Sequence, residues 1–135
     1  MKKALLGPTE VAKAAGVNLQ TVRFYEREGL LRTPGRSAAG HRRYDDDAVR
    51  VIRFIKRAQA LGFTLEETRK LLTLRLERPR RVLAARAATR AKLDEVEEKL
   101  RALTAVRREL AALLDACACG SGPEVCPILD ALERP

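Results

Sequence analysis

One stretch of the chain, Val82 to Asp115, constrains the fold more than any other. It contains neither glycine nor proline and is rich in Ala, Leu, Glu, Lys and Arg, which are strong helix formers. A helix of this length would extend about 50 Å at its rise of 1.5 Å per residue. Its apolar residues follow the alternating three- and four-residue spacing of a coiled-coil seam, which Arg107 interrupts. The seam residues are Leu93, Val96, Leu100, Leu103, Leu110 and Leu114.

The remainder of the chain is too short to cover this seam. The chain has 135 residues, which leaves room for one small domain beside the long helix. A second copy of the chain is the simplest partner, in a parallel or an antiparallel pair. The alternative is a long helix that folds back on its own domain. The sequence therefore predicts a homodimer.

Positive charge is concentrated in the N-terminal part of the chain. The formal net charge is +9, and residues 1–61 carry 13 Lys and Arg against 6 Asp and Glu, a net +7. This excess indicates a polyanionic partner, either nucleic acid or an anionic membrane surface. No apolar run reaches the roughly 20 residues that span a bilayer, and the first ten residues have too short an apolar core for a signal peptide. We expect a cytoplasmic protein with reduced thiols and no membrane contact.

Two short helices joined by a tight turn are predicted near the N-terminus. Thr9–Ala15 has an apolar face and ends at Gly16, and Asn18 can cap a second helix over Leu19–Glu28. This pattern is typical of a helix-turn-helix, whose second helix enters the major groove of DNA, although helical hairpins also occur in proteins that bind no DNA. The candidate DNA contacts on the second helix are Gln20, Thr21, Arg23 and Tyr25.

A basic loop with proline and glycine follows these helices. His41–Tyr44 is a short strand candidate beside it, so the segment would form a small wing that reaches the phosphate backbone. The alternative is a solvated basic loop. The candidate contacts are Arg36, Arg42, Arg43 and the Tyr44 hydroxyl. We interpret His41, the one histidine of the chain, as a surface residue of the wing rather than a metal ligand.

Two further helices are predicted before the long one. Asp45–Asp47 supplies a cap for a helix that runs to about Leu61, and Thr64–Glu67 is a capping box that opens a helix to about Leu74. The predicted fold is therefore mainly α. Residues 1–75 would form a winged helix-turn-helix DNA-binding domain, residues 80–115 a coiled-coil dimerisation helix, and residues 116–135 a cysteine-rich metal-binding loop with a C-terminal helix.

All three cysteines of the chain follow the long helix. Cys117, Cys119 and Cys126 lie around a loop rich in Gly, Ser and Pro, and Pro127 opens a final short helix over Ile128–Leu132. Thiolates bind soft metal ions best, and the positive end of a helix beside Cys126 would favour an anionic sulfur. Such a loop offers little core in which three cysteines could simply be buried. The cysteines therefore predict a metal site.

Taken together, these motifs resemble the MerR family of bacterial transcription regulators. The resemblance rests on EVAKAAGVNLQTVRFYEREGLL, RSAAGHRRY, RAQALGFTLEE and the long helix, and covers nearly the whole chain. It implies a winged-helix dimer with an antiparallel coiled coil. Such a dimer binds a palindromic promoter operator and, with its effector, distorts the DNA so that RNA polymerase can engage the promoter. Arg23 and Tyr25 match the family's recognition-helix positions, Arg42 and Tyr44 match its wing, and His41 replaces a usual aromatic residue.

The C-terminal tail resembles the metal-sensing branch of that family, in which two loop cysteines followed by Pro-Ile hold the ion. Cys126 matches the second ligand. Cys117 fits the spacing of the mercury-sensing type, and Cys119 fits shorter loops, so either one can be its partner. Val82 lies where divalent-ion sensors have a cysteine and monovalent-ion sensors a serine.

The number of thiolates decides which ion this tail favours. Three thiolates leave less residual charge with a divalent than with a monovalent ion, and the larger charge is harder to bury. We expect Hg(II) if all three cysteines ligate and Cu(I) if Cys119 remains a thiol. Cd(II), Pb(II) and Zn(II) are further thiophilic candidates.

Other classes of function fit the sequence less well. A redox or iron–sulfur switch on the same DNA reader is the main alternative, although the iron–sulfur branch of the family needs four cysteines and this chain has three. An enzyme is not expected, because no nucleophile and base form a catalytic pattern. A pocket for an organic effector is not expected either, because only about 20 residues follow the long helix.

Overall fold

The computed structural model describes residues 5–32, 35–75, 80–118 and 125–135. Helices dominate these ranges, which confirms the predicted fold class. In chain order the elements are α1 (Pro8–Ala15), α2 (Leu19–Arg27), β1 (Gly35–Arg36), β2 (Arg42–Arg43), α3 (Asp46–Ala60), α4 (Leu65–Leu74), α5 (Arg81–Ala118) and α6 (Pro127–Glu133).

The chain divides into two compact units, residues 1–88 and 89–135, and α5 begins in the first and ends in the second. The boundary between these units lies inside the long helix. The three functional parts that we expect from the sequence therefore do not coincide with the two units, and their boundaries stay a prediction.

The helix-turn-helix forms where local signals place it. Gly16 has φ 72°, a left-handed conformation that glycine adopts without steric cost, and it ends α1. The Asn18 side chain then accepts a hydrogen bond from the backbone N–H of Thr21 at 2.8 Å, which caps α2. Val11 and Val22 are fully buried, one on each helix, so the turn brings two apolar faces together.

The core of the first unit lies against α3. Ile52 and Ile55 of this helix are fully buried, and α3 contacts both α1 and α4. Burial of each such side chain stabilises the fold by about 1.5–3 kcal/mol.

The predicted capping box of α4 is present, because the Thr64 N–H donates to Glu67 Oε1 at 2.8 Å and the Glu67 N–H donates to Thr64 Oγ1 at 3.1 Å. The third helix ends at Ala60, within one residue of its predicted end.

The predicted wing is a two-residue antiparallel ladder. Gly35 lies opposite Arg43, and Arg36 lies opposite Arg42. The strand expected over residues 41–44 is therefore present but shorter. Tyr44 continues past the ladder and pairs with Leu6, whose N–H donates to the Tyr44 carbonyl at 2.7 Å. This contact with the N-terminal segment was not expected.

The long helix α5 has 38 residues and extends the predicted Val82–Asp115 stretch at both ends. Its seam residues are 39–66% exposed, so the described part of the chain does not cover them. None of the helices in the described ranges is long and apolar enough to cross a membrane.

Candidate functional site

The exposed face of α2 carries polar and basic side chains at helical spacing. Gln20 and Arg23 are exposed, and among the described residues neither side chain has a hydrogen-bond or ion-pair partner. Arg27 lies one helical turn after Arg23 and is also exposed. Its side chain likewise has no hydrogen-bond or ion-pair partner among the described residues. Sequence reasoning missed Arg27, although its four-residue spacing from Arg23 was a usable signal. Amide and guanidinium groups of this kind can hydrogen-bond to base edges and phosphates.

The other two candidates on α2 have hydroxyl groups that donate hydrogen bonds to other side chains of the protein. Thr21 is half-buried, and its hydroxyl donates to Asn18 Oδ1 at 2.8 Å. Tyr25 is 5% exposed, and its hydroxyl donates to Gln59 Oε1 at 3.0 Å. Burial raises the pKa of Tyr25 above its ordinary value. Tyr25 follows Val22 by three residues on the inward face and its hydroxyl joins α2 to α3. Its predicted contact with DNA draws no support from this placement and stays a prediction.

The wing is connected to α2 through Glu26. One oxygen of its carboxylate, Oε2, accepts from Arg42 Nη1 at 3.1 Å and from the Tyr44 hydroxyl at 2.6 Å. Tyr44 is 2% exposed. Its pKa is raised, first by burial and then by the hydrogen bond to Glu26, whereas nearby Arg42 lowers it. The Tyr44 hydroxyl and the Arg42 guanidinium, both expected to contact phosphate, therefore bind a carboxylate of the same protein.

The remaining wing candidates differ in whether their side chains have a hydrogen-bond partner among the described residues. Arg36 Nη1 donates to the Gly40 carbonyl at 3.0 Å, across the turn of the wing. Arg43 is half-buried, and its guanidinium has no partner among the described residues. His41 is exposed, which agrees with a surface position. We define the reading surface as Gln20, Arg23, Arg27 and Arg43, the glutamine and the arginines of α2 and the wing whose side chains bond to no other described residue.

Three long basic side chains that a charge count would assign to DNA are instead bonded to the helix-turn-helix backbone. Arg53 Nη2 donates to the Ala14 carbonyl and Lys56 Nζ to the Gly16 carbonyl, both at 2.8 Å. From α4, Arg69 Nη1 donates to the carbonyl at the end of α2 at 2.6 Å. These bonds hold the end of α1, the turn that follows it and the end of α2. Their only sequence signal is the three-residue spacing of Arg53 and Lys56.

The thiol region is described in part. Cys117 is exposed in the last turn of α5, and Cys126 is half-buried immediately before α6. Both are free thiols. Cys119 lies outside the described residues, and within the described ranges no three His, Cys, Asp or Glu side chains form a metal-binding group. Two reduced thiols that flank a short segment are suitable donors for a soft ion, and the three-cysteine site stays a prediction.

Comparison with known proteins agrees with these features. Residues 8–74 match the model of the MerR HTH family regulatory proteins, and residues 49–113 match a second model described as MerR, DNA binding. A mercuric resistance operon regulatory protein of Pseudomonas fluorescens is 41% identical over 90% of this chain and 83% of its own length.

Two solved structures have the same fold. The transcription regulator PbrR691 from Ralstonia metallidurans CH34 in complex with lead(II) is 38% identical, with a TM-score of 0.79 over 93% of this chain and 97% of its own. The regulator MerR from Bacillus megaterium MB1 in complex with mercury(II) is 30% identical, with a TM-score of 0.74 over 94% and 98%. Such regulators are not enzymes, which confirms that expectation. With these matches and its helix-turn-helix, wing and long helix, the chain belongs to the MerR family of DNA-binding transcription regulators.

Proposed function

We propose that this protein is a metal-responsive regulator that binds a palindromic promoter operator as a homodimer and activates transcription when a thiophilic ion binds its cysteines. The observation that carries the proposal is the reading surface, in which Arg23, Arg27 and Arg43 keep uncommitted guanidinium groups on two adjoining elements. Arginine donates bidentately to guanine edges and to phosphates. Gln20 beside them can read adenine.

Dimerisation is supported by the exposed seam of α5. Leu100 and Leu103 are more than half exposed, on a helix whose apolar residues recur at coiled-coil spacing. Monomeric proteins seldom leave so long an apolar stripe uncovered. We propose that a second α5 covers it in an antiparallel coiled coil, which would hold two reading surfaces at a defined separation.

The effector is supported by the chemistry of the thiols and by the relatives. Soft thiolates bind soft ions. The Pseudomonas fluorescens relative is named for mercuric resistance, and the two similar structures hold lead(II) and mercury(II). We propose that Cys117 and Cys126 hold the ion with Cys119 as a third ligand, that Hg(II) is favoured and that Cu(I) is next.

Activation follows from the rigid spacing of two reading surfaces. A dimer whose surfaces do not match the spacing of its half-sites must bend or twist the DNA, at a cost of about 1–6 kcal/mol. We propose that metal binding changes the pose of the two surfaces and that the distorted promoter is then engaged by RNA polymerase.

The metal part of the proposal is tested by Cys126→Ser. Hg(II), Cu(I), Zn(II), Cd(II) and Pb(II) are titrated into the reduced protein, and sulfur charge-transfer bands give the stoichiometry per dimer. Cys126→Ser should lose the metal response in transcription while its DNA affinity stays within about twofold of wild type. A parallel loss of DNA binding would make the thiol structural. Activation by oxidant or a visible cluster after anaerobic reconstitution would favour the redox or iron–sulfur alternative instead.

The DNA part is tested by Arg23→Ala with a matched control. Arg23→Ala should weaken operator binding with and without metal by about thirtyfold or more, because each of the two protomers loses one bidentate contact of about 1–3 kcal/mol. Arg101→Ala removes the same charge from an exposed position on α5 and should leave affinity nearly unchanged. Equal losses in both variants would show that only net charge matters and that α2 is not the reading helix.

A further inference from the structure

Glu26 carries a negative charge on the helix that is proposed to approach DNA. It lies next to Arg27 and three residues after Arg23, two members of the reading surface. A carboxylate at such a position repels phosphates, so by charge alone its removal would tighten binding. Its side chain is only 11% exposed, however, and points toward the wing rather than to solvent.

The contacts of Glu26 join α2 to the second strand of the wing. Arg42 and Tyr44 alternate along β2 and its continuation, and both donate to the same Glu26 oxygen. The residue between them, Arg43, belongs to the reading surface. The Tyr44 ring is buried in the core, and its backbone pairs with Leu6. One carboxylate thus joins a core-packed residue and a wing arginine to the reading helix.

Resting on the DNA-binding part of the proposed function, we infer that Glu26 is a positioning residue for DNA recognition. Its bonds to Arg42 and Tyr44 hold the wing at a fixed distance from α2, so that Arg43 and Arg23 meet the same duplex together. Preorganised contacts bind more tightly because less conformational freedom is lost on association. Arg42 therefore supports the wing and does not itself bind phosphate.

The first test compares two carboxylates, that of Glu26 within α2 and that of Glu28 at its C-cap. Glu26→Ala and Glu28→Ala each remove one negative charge near the reading surface, but Glu28 faces Arg69 of α4 and not the wing. The probe is a duplex selected by the wild-type protein from a random pool. Glu26→Ala should bind it about tenfold more weakly, although the protein becomes more positive, whereas Glu28→Ala should bind equally or more tightly.

The salt dependence of the same variants distinguishes positioning from simple neutralisation of Arg42. If Glu26 only neutralised Arg42, its removal would free that guanidinium for phosphate. Glu26→Ala would then bind at least as tightly as wild type, with a log-affinity slope against log salt steeper by about 0.9 for each new phosphate contact. That result would overturn the inference. We expect instead a lower affinity with a slope no steeper than that of wild type.

A double-mutant cycle with Tyr44→Phe separates an indirect from a direct role of the Tyr44 hydroxyl. Tyr44→Phe should weaken binding by several-fold in the wild-type background and cause no further loss in the Glu26→Ala background, because both changes break the same contact. An undiminished loss in both backgrounds would identify a direct phosphate contact and overturn the inference. Tyr44→Phe removes a single oxygen and keeps the ring. If Glu26→Ala does not fold, unchanged binding by Tyr44→Phe still overturns the inference.

The outcomes distinguish this inference from the proposed function. If the wild-type protein selects no duplex, DNA recognition itself fails and the role of Glu26 falls with it. The second outcome is that the wild-type protein selects a duplex that Glu26→Ala and Tyr44→Phe bind as tightly as the wild type does. That result would leave the proposed DNA-binding function intact and refute only the positioning role of Glu26. Circular dichroism and thermal midpoints of all variants establish that the compared proteins are folded.

Discussion

At the scale of single residues, hydrogen bonds within the protein decide which charged and hydroxyl groups are left available for DNA. Arg42 and Arg43 are neighbours of identical chemistry, yet one donates to Glu26 and the other has no partner in the described part of the chain. Likewise, Tyr25 and Tyr44 are both aromatic residues with a phenolic donor, and both are held in the core by a hydrogen bond to another side chain. Residue type alone therefore does not predict which groups meet DNA.

The two tyrosines allow a direct test of this placement by pH. The chain has no tryptophan and only Tyr25 and Tyr44, so tyrosinate absorbance reports these two groups alone. Both have a pKa above the ordinary 10.0, chiefly because burial disfavours the phenolate. Their contribution to stability is fully present below pH 10 and is lost as pH rises through the folded pKa values.

We therefore expect less than half of the tyrosinate signal at pH 10 and ionisation together with unfolding above it. Spectrophotometric titration beside circular dichroism measures this, and Tyr25→Phe and Tyr44→Phe assign the two steps. Titration of both groups near pH 10 in a protein that stays folded would contradict their buried, hydrogen-bonded placement.

At the scale of elements, α3 and α4 support the helix-turn-helix through backbone carbonyls. We expect Arg53→Ala to lower the free energy of unfolding by about 1–2 kcal/mol, because the Ala14 carbonyl loses a charged donor at 2.8 Å. Arg50→Ala is the matched control: it lies on the same helix, is exposed and has no partner among the described residues. Urea denaturation measures both. Equal effects would show that the bond to Ala14 adds nothing beyond helix charge.

The long helix α5 is the element whose surface most needs a partner. Leu103→Asp should convert the protein to a monomer, because a carboxylate in the seam would be buried without a partner. Ala102→Asp introduces the same group one residue away, outside the seam, and should leave the dimer intact. Sedimentation over a range of concentrations measures both. A wild-type monomer, or a dimer that survives Leu103→Asp, would remove the proposed interface.

At the scale of the whole molecule, electrostatics sets the affinity for DNA. A dimer doubles the formal charge of +9. The three uncommitted arginines of each reading surface supply six guanidinium groups in the pair. If all six contact phosphate, log affinity should fall against log salt with a slope of about −5, and each one that reads a base instead makes the slope shallower by about 0.9. Arg23→Ala should make the slope shallower by about 2 if both copies contact phosphate, and Arg101→Ala should not change it. Fluorescence anisotropy with the selected duplex measures each slope.

The elements of this protein were largely predictable because their signals are local. The Asn18 cap and the Thr64–Glu67 box act over three residues, and the absence of Gly and Pro from Val82 to Asp115 favours one uninterrupted helix. Sequence motifs likewise placed the chain in its family. The cysteine site remains a sequence-based prediction, because Cys119 lies outside the described residues.

What only the tertiary structure decided is which polar groups remain free to bind DNA. Arg42 bonds to a residue 16 positions away, and Arg53 to one 39 positions away. Such pairs depend on how α2, the wing and α3 pack, and no local spacing records them. The sequence by itself determined the helices, the charge and the thiols. Packing determined the reading surface. Each long-range bond occupies a side-chain donor that the sequence alone would predict to contact DNA, and so excludes that residue from the surface.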